Sequence, residues 1–226
     1  MLFQELKLTS WDGGSWAKDI MRRLIQSLPN LEVLAIHTAS AIIDVTNEET
    51  IQKWGRIDAL VNNAGTTKFV FNHADLDGLD ADDFLHIYKV NVVGPFQMVK
   101  ACKEMLMNSE NPSVVNISSI AGIKGIGSSL AYASSKGALN IMTKSMARNL
   151  GPIRVNAICP GFIQGDWLKK GMGDDLYNAA KENLTSSTPL KLTVTPEQVA
   201  EKKSNELCLF VLSELGPQFI FIPKSK

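Results

Sequence analysis

The stretch from Ser119 to Lys136 constrains this chain most. It reads Ser-Ile-Ala-Gly-Ile-Lys-Gly-Ile-Gly-Ser-Ser-Leu-Ala-Tyr-Ala-Ser-Ser-Lys. Before it, Ser113 to Ser118 is a short apolar run with β-branched residues, which predicts a buried strand. After it, Ala133 to Leu150 has no proline and carries Leu139, Met142, Met146 and Leu150 at helical spacing. Tyr132 and Lys136 are four apart, so at a helix start they share one face. An ammonium beside a phenol favours the phenolate and lowers the tyrosine pKa, which makes Tyr132 a candidate proton donor. Ser119 ends the strand, and the glycine-rich loop can fold it back toward the tyrosine.

Tyr-x-x-x-Lys alone is a weak signal, and its context strengthens it. Ser119 precedes Tyr132 by thirteen residues and Asn91 precedes Ser119 by twenty-eight. Asn62-Asn63-Ala64-Gly65 follows one apolar run, and Cys159-Pro160-Gly161 follows another. In residue type and spacing, from about Ile42 to about Ala200, the chain resembles the classical short-chain dehydrogenase/reductase family. Within it, 3-oxoacyl-carrier-protein-reductase-like members are the most similar.

The resemblance implies hydride transfer between NAD or NADP and a carbonyl or alcohol carbon. It implies Tyr132 as general acid/base and Ser119 as hydrogen-bond partner of the substrate oxygen. Lys136 would tune the tyrosine and hold the ribose, and Asn91 would support a proton relay. The implied cofactor contacts are Asp44, Val45, Asn62, Ala64, Gly65, Tyr132, Lys136, Pro160, Gly161 and Ile163. A homodimer or homotetramer through the helices near 82–107 and 133–150 is the family expectation.

Composition fits such a chain. The 226 residues suffice for one domain with a sizeable core. Lys+Arg and Asp+Glu both number 23, so no strong field draws nucleic acid or an anionic membrane. Arg22-Arg23 and Lys169-Lys170 read as solvated helix faces. Cys102, Cys159 and Cys208 are singletons without metal-ligand spacing, so no metal site is expected. Their sparse, odd count points to a reducing, cytoplasmic setting. His37, His73 and His86 are isolated and read as surface or core residues. No apolar run approaches the ~20 residues of a membrane span, and the N-terminus lacks a signal pattern.

The first half departs from the family. A dinucleotide site needs a strand, a glycine-rich turn and a helix whose N-terminus receives the pyrophosphate. Here the nearest match is Asp12-Gly13-Gly14-Ser15, followed by Trp16 where close backbone approach requires glycine. Ser15 can still N-cap a helix to about Leu28. Leu31–Ile36 and Ala41–Val45 read as strands too close together for a helical crossover. Asp44 to Asn62 spans eighteen residues, room for one short helix at about 48–54 at ~1.5 Å per residue.

Further on, Ile57–Val61 predicts a buried strand and Thr66–Asp80 a loop bordering the substrate. Asp82 to about Met107 predicts a long helix bent near Asn91, because Pro95 removes a helix bond. Ile153–Ile158 is a further strand. Gly165–Pro189 resembles a lid, with Trp167, Leu168, Met172 and Leu176 as its apolar face. Thr195-Pro196 starts a helix, and Phe219–Ile222 reads as an edge strand or a tail.

The expected fold is α/β: a doubly wound, Rossmann-like, mostly parallel sheet with helices on both faces and a shortened first half. It is read as one domain over 1–226, with a degenerate start at 1–41 and a divergent tail at 201–226. The alternative function is a catalytically impaired scaffold acting through oligomer or protein contacts. A sugar-nucleotide epimerase relative, which also uses Tyr-x-x-x-Lys, is disfavoured by the short length and by Pro160-Gly161.

Overall fold

The computed structural model describes residues 33–36, 56–187, 191, 193–195, 209–213 and 216–219. Among the described residues six strands form one sheet: β1 Val33–Ile36, β2 Ala59–Asn62, β3 Ser113–Ile117, β4 Arg154–Pro160, β5 Leu209–Ser213 and β6 Gly216–Phe219. They lie in chain order, with β1 to β5 parallel and β6 antiparallel on the edge. This is the Rossmann-like parallel sheet expected from sequence. The reversal of strand order that makes such a sheet doubly wound is not among the described residues. Nor are Gly13-Gly14, the helix expected from Ser15, the strand at 41–45, the helix at 48–54 and the helix after Thr195.

In the β2–β3 crossover a loop over 63–80 precedes three consecutive helical pieces. Helix α1 (Ala81–Tyr88) starts with a reciprocal cap: Asp80 Oδ1 accepts from the Asp83 N–H at 2.8 Å, and Asp83 Oδ2 accepts from the Asp80 N–H at 3.0 Å. Then Lys89–Val93 forms a π-helical turn, and α2 runs from Gly94 to Met107. The Gly94 N–H donates to the Lys89 carbonyl, five residues back. The bend expected at Asn91 is this turn. Pro95 has no N–H for the Asn91 carbonyl, so the α-helical ladder breaks there and the widened turn takes its place.

The β3–β4 crossover holds the short helix α3 (Ala121–Lys124) and the long α4 (Leu130–Asn149). Helix α4 begins three residues before the expected Ala133. Ser129 is its N-cap and accepts from the Tyr132 N–H at 3.2 Å. Successive right-handed crossovers stepping the same way put α2 and α4 on one face. There Val99, Cys102, Met105 and Leu106 of α2 pack on Ile57, Leu60, Val114, Ile153 and Val155, all buried. Burying each such aliphatic side chain contributes about 1.5–3 kcal/mol. This core lies toward the strand starts, so the strand ends are left for other use.

The C-terminal expectation lies mostly outside the described residues. The edge strand is Gly216–Phe219, paired with β5 in the register Ser213↔Gly216, and residues 220–222 are not among those described. Pro217 is tolerated because the strand is at the edge. Strand β5 went unanticipated because a short apolar run reads equally well as part of a helix.

Candidate active site

The carboxyl ends of β2, β3 and β4 converge on a cavity of ≈ 320 Å³. Ser119, Tyr132, Lys136, Gly65, Pro160, Gly161 and Ile163 all line it. The sequence therefore names seven residues from three separate segments that the fold brings together. Asn62, Ala64 and Asn91 stand outside the lining. Asp44 and Val45 are outside the described residues.

Each site residue is held by its element. Ser119 follows β3, and its Oγ accepts from the Ala121 N–H at 3.1 Å, which leaves the hydroxyl proton to donate. Tyr132 and Lys136 lie one turn apart on α4, with Nζ 5.8 Å from the tyrosine ring centroid. Lys136 is 3% exposed, and its Nζ donates to the Ile117 carbonyl at 2.8 Å. Its own carbonyl accepts from Ser118 Oγ at 3.2 Å, tying α4 to the end of β3. Asn62 Nδ2 reaches across to Asn116 Oδ1 at 2.8 Å, so it braces β2 against β3.

Asn91 sits behind the cavity, fully buried. Its Oδ1 accepts from the Thr66 N–H at 2.8 Å, and its Nδ2 donates to the Thr66 carbonyl at 3.0 Å and to Ser135 Oγ at 2.9 Å. The π turn thereby fastens the loop after Gly65 to the first turns of α4. At Gly65 an added Cβ would meet Lys136 Nζ at 3.5 Å and Asn91 Oδ1 at 3.6 Å. Glycine keeps the space in front of the ammonium open.

Electrostatics correct one expectation. Burial holds the Tyr132 phenol above its ordinary range, and the Ser119 hydroxyl beside it opposes this without winning. Lys136 does not pull the phenol down as expected, because burial disfavours both charged forms. The same burial pushes Lys136 from its ordinary 10.5 to about 8. The stability consequence has a definite sign. Below pH 8 both folded and unfolded chains carry the lysine proton, and the cost of the buried cation is fully present. Above it the folded chain releases the proton while the unfolded chain keeps it, so stability rises with pH. Between pH 8 and 9 the buried Cys102 and Cys159, whose thiols ionise near their ordinary 9.0 only in the unfolded chain, act in the opposite direction, so urea midpoints of the wild type should rise relative to those of Lys136→Met across that window. Parallel pH curves for the two proteins would contradict the buried ammonium.

The segment expected as a lid forms two helices, α5 (Asp166–Met172) and α6 (Asp174–Ser187). Trp167, Leu168 and Met172 face the cavity as expected, but Leu176 is 58% exposed. Leu184 lines the cavity instead, and buried Tyr177 anchors the lid: its ring lies 5.3 Å from that of Phe162 and its Oη accepts from the Gly165 N–H at 3.2 Å. The break at Gly173 (φ +79) restarts the helical phase, so one stripe could not be carried from α5 into α6. Ile163 bridges Val194 through its neighbours, with Gln164 N–H to the Val194 carbonyl and Val194 N–H to the Phe162 carbonyl. Alternation along an extended strand then turns the peptide groups of Ile163 itself away from that bridge.

Sequence reasoning did not single out Asn63, Phe71, Ile126 and Ser128 as lining residues. The Ser128-Ser129-Leu130 start of α4 was a legible cap signal for the last of these. Among the described residues no group of His, Cys, Asp or Glu is placed to hold a metal ion, and no helix is long and apolar enough to cross a membrane.

A family model described as enoyl-(acyl carrier protein) reductase matches residues 17–218. The 3-oxoacyl-[acyl-carrier-protein] reductase FabG of Thermotoga maritima is 38% identical over 156 residues, 68% of this chain and 60% of that protein. A crystal structure described as a short-chain dehydrogenase/reductase from Burkholderia xenovorans is 35% identical with a TM-score of 0.64, covering 78% of this chain and 71% of that one. The structure described as ElxO with NADP bound is 25% identical with a TM-score of 0.66, covering 85% and 91%. The chain spans about 60% of the length of the first curated relatives that it matches.

Proposed function

Because the chain belongs to the short-chain dehydrogenase/reductase family, we propose that it is an oxidoreductase that uses NAD or NADP on a small carbonyl or alcohol substrate. The observation that carries this reading is the convergence of Ser119, Tyr132 and Lys136 on one cavity at the strand ends. The nicotinamide cofactor supplies or accepts the hydride. Lys136, Gly65 and the backbone of Ile163 fit its ribose and carboxamide end, since Gly65 leaves open the space that a Cβ would fill. Asp44 and Val45 are proposed beside the adenine.

Tyr132, kept neutral by burial, donates its proton to the carbonyl oxygen during reduction and takes it back during oxidation. Ser119, with its oxygen already bonded to the Ala121 amide, donates to the same oxygen as negative charge develops. Asn91 is a positioning residue: it fixes the Thr66 backbone and, through Ser135, the start of α4. Leu85, Val93, Phe96 and Ile141 are large exposed apolar side chains on α1, the π turn, α2 and α4. They support a homodimer or homotetramer through those helices. Buried free Cys102 and Cys159 suit a reducing cytoplasm.

Titration of the purified chain with NADH and NADPH, followed by fluorescence or calorimetry, tests the proposal. Micromolar binding of one of them is expected. Absence of binding at millimolar concentration would reject it and leave a scaffold that acts through its contacts.

A further inference from the structure

Resting on that reading, we propose that the substrate is a compact, uncharged ketone or secondary alcohol whose single oxygen is carried by an apolar ring. The cavity is small. At ≈ 320 Å³ it stands at the low end of the ~300–1,000 Å³ of ligand sites, and it must hold the cofactor's reactive end as well. Its substrate side is apolar: Phe71, Ile126, Trp167, Leu168, Met172 and Leu184. Phe71 and Ile126 stay 45% and 51% exposed at its rim. Phe69 props the lid from behind, with its ring 5.5 Å from that of Phe71 and 5.8 Å from that of Trp167. The flat aromatic walls favour a ring over a flexible polar chain.

The lining polar groups are mostly committed to the protein. Ser118 Oγ donates to the Lys136 carbonyl, Ser128 Oγ pairs with Thr67 Oγ1 at 2.7 Å, and Lys136 Nζ donates to the Ile117 carbonyl. Asn63 is engaged within the protein too, and its Oδ1, which has no hydrogen-bond partner among the described residues, is buried rather than presented to the cavity. What remains for a substrate is the Ser119 and Tyr132 hydroxyl pair, which serves one oxygen. Lys136 is the one charged side chain in the described lining, and it lies on the Gly65 side. A substrate carboxylate or a second hydroxyl would be buried there without a partner, which disfavours it by roughly ten-fold or more.

Ligand-observed NMR on the cofactor-free chain tests this with cyclohexanone, 4-oxocyclohexanecarboxylate and 2-hydroxycyclohexanone. Cyclohexanone should bind at least ten-fold tighter than the other two. Equal or tighter binding of the carboxylate, or no binding of cyclohexanone, overturns the proposal. In Leu168→Arg the preference between cyclohexanone and the carboxylate should reverse; an unchanged preference places the ring elsewhere and overturns it too. Oxidation of NADH and NADPH is read separately. If cyclohexanone binds and neither cofactor is oxidised, the oxidoreductase reading fails while the ligand class stands.

Discussion

Tyr132→Phe should lower kcat about 10²–10⁴-fold, the usual contribution of a positioned general acid or base. Cofactor affinity should stay within a few-fold. The substitution removes one oxygen and leaves the ring, which packs against Gly127. The helix start does not depend on that oxygen, because in the N-cap bond the backbone N–H of Tyr132 donates to Ser129 Oγ. Ser119 keeps its bond from the Ala121 amide, so the hydroxyl proposed to meet the substrate oxygen stays aimed. The loss should therefore fall on kcat and on kcat/KM alike, the pattern of an interaction made in the transition state. Steady-state kinetics beside cofactor titration would show it. A variant within ten-fold of wild type would remove the tyrosine from the chemistry.

Gly122→Ala should damage both stability and activity. Helices α3 and α4 touch backbone to backbone at Gly122. A Cβ there would overlap the Gly137 nitrogen and the Lys136 carbonyl carbon and lie 2.7 Å from the Lys136 carbonyl oxygen. No flexible side chain can yield, so the helices must part. Overpacking of this kind costs typically about 1–3 kcal/mol and sometimes more. For a chain of this size each kcal/mol lowers Tm by about 2–4 °C. The displaced backbone carries Lys136, which its Nζ bond to Ile117 and its carbonyl bond from Ser118 hold in place. The proposed oxidoreductase activity should fall beyond what the lost stability explains at a temperature where the variant is folded. Gly137→Ala, whose Cβ would stand 3.3 Å from the Gly122 carbonyl, should lose less. Melting curves and specific activity at 20 °C on both variants decide. Equal Tm values for wild type and Gly122→Ala would refute the close approach.

The site was legible because its residues sit where local sequence sets geometry. Tyr132 and Lys136 meet through helical spacing alone, and Ser119 and Pro160 each close an apolar strand run. The bend at Asn91 was legible from Pro95, but its form was not. Whether a broken ladder kinks or widens depends on what the freed groups find, and here Asn91 finds Thr66 and Ser135. The tyrosine pKa was misread because proximity of Lys136 is visible in sequence and the dryness around both groups is not. Leu176 was misplaced because Gly173 interrupts the helical phase between α5 and α6, so one apolar face could not extend over both. Strand β5 was missed because a short apolar run acquires its meaning from the strand beside it.

The π turn has a bookkeeping consequence. Nineteen positions separate Ile87 from Leu106. On an uninterrupted α-helix, at ~100° per residue, they would point ~100° apart. Both are nonetheless buried, at 1% and 0% exposure. The widened turn absorbs one residue, so the remaining eighteen steps complete five revolutions and return Leu106 to the azimuth of Ile87. The crossover thus behaves as an ordinary helix carrying a single-residue insertion. That surplus residue lets Asn91 leave the wall of the helix for the loop after Gly65 while the apolar stripe on either side keeps its bearing.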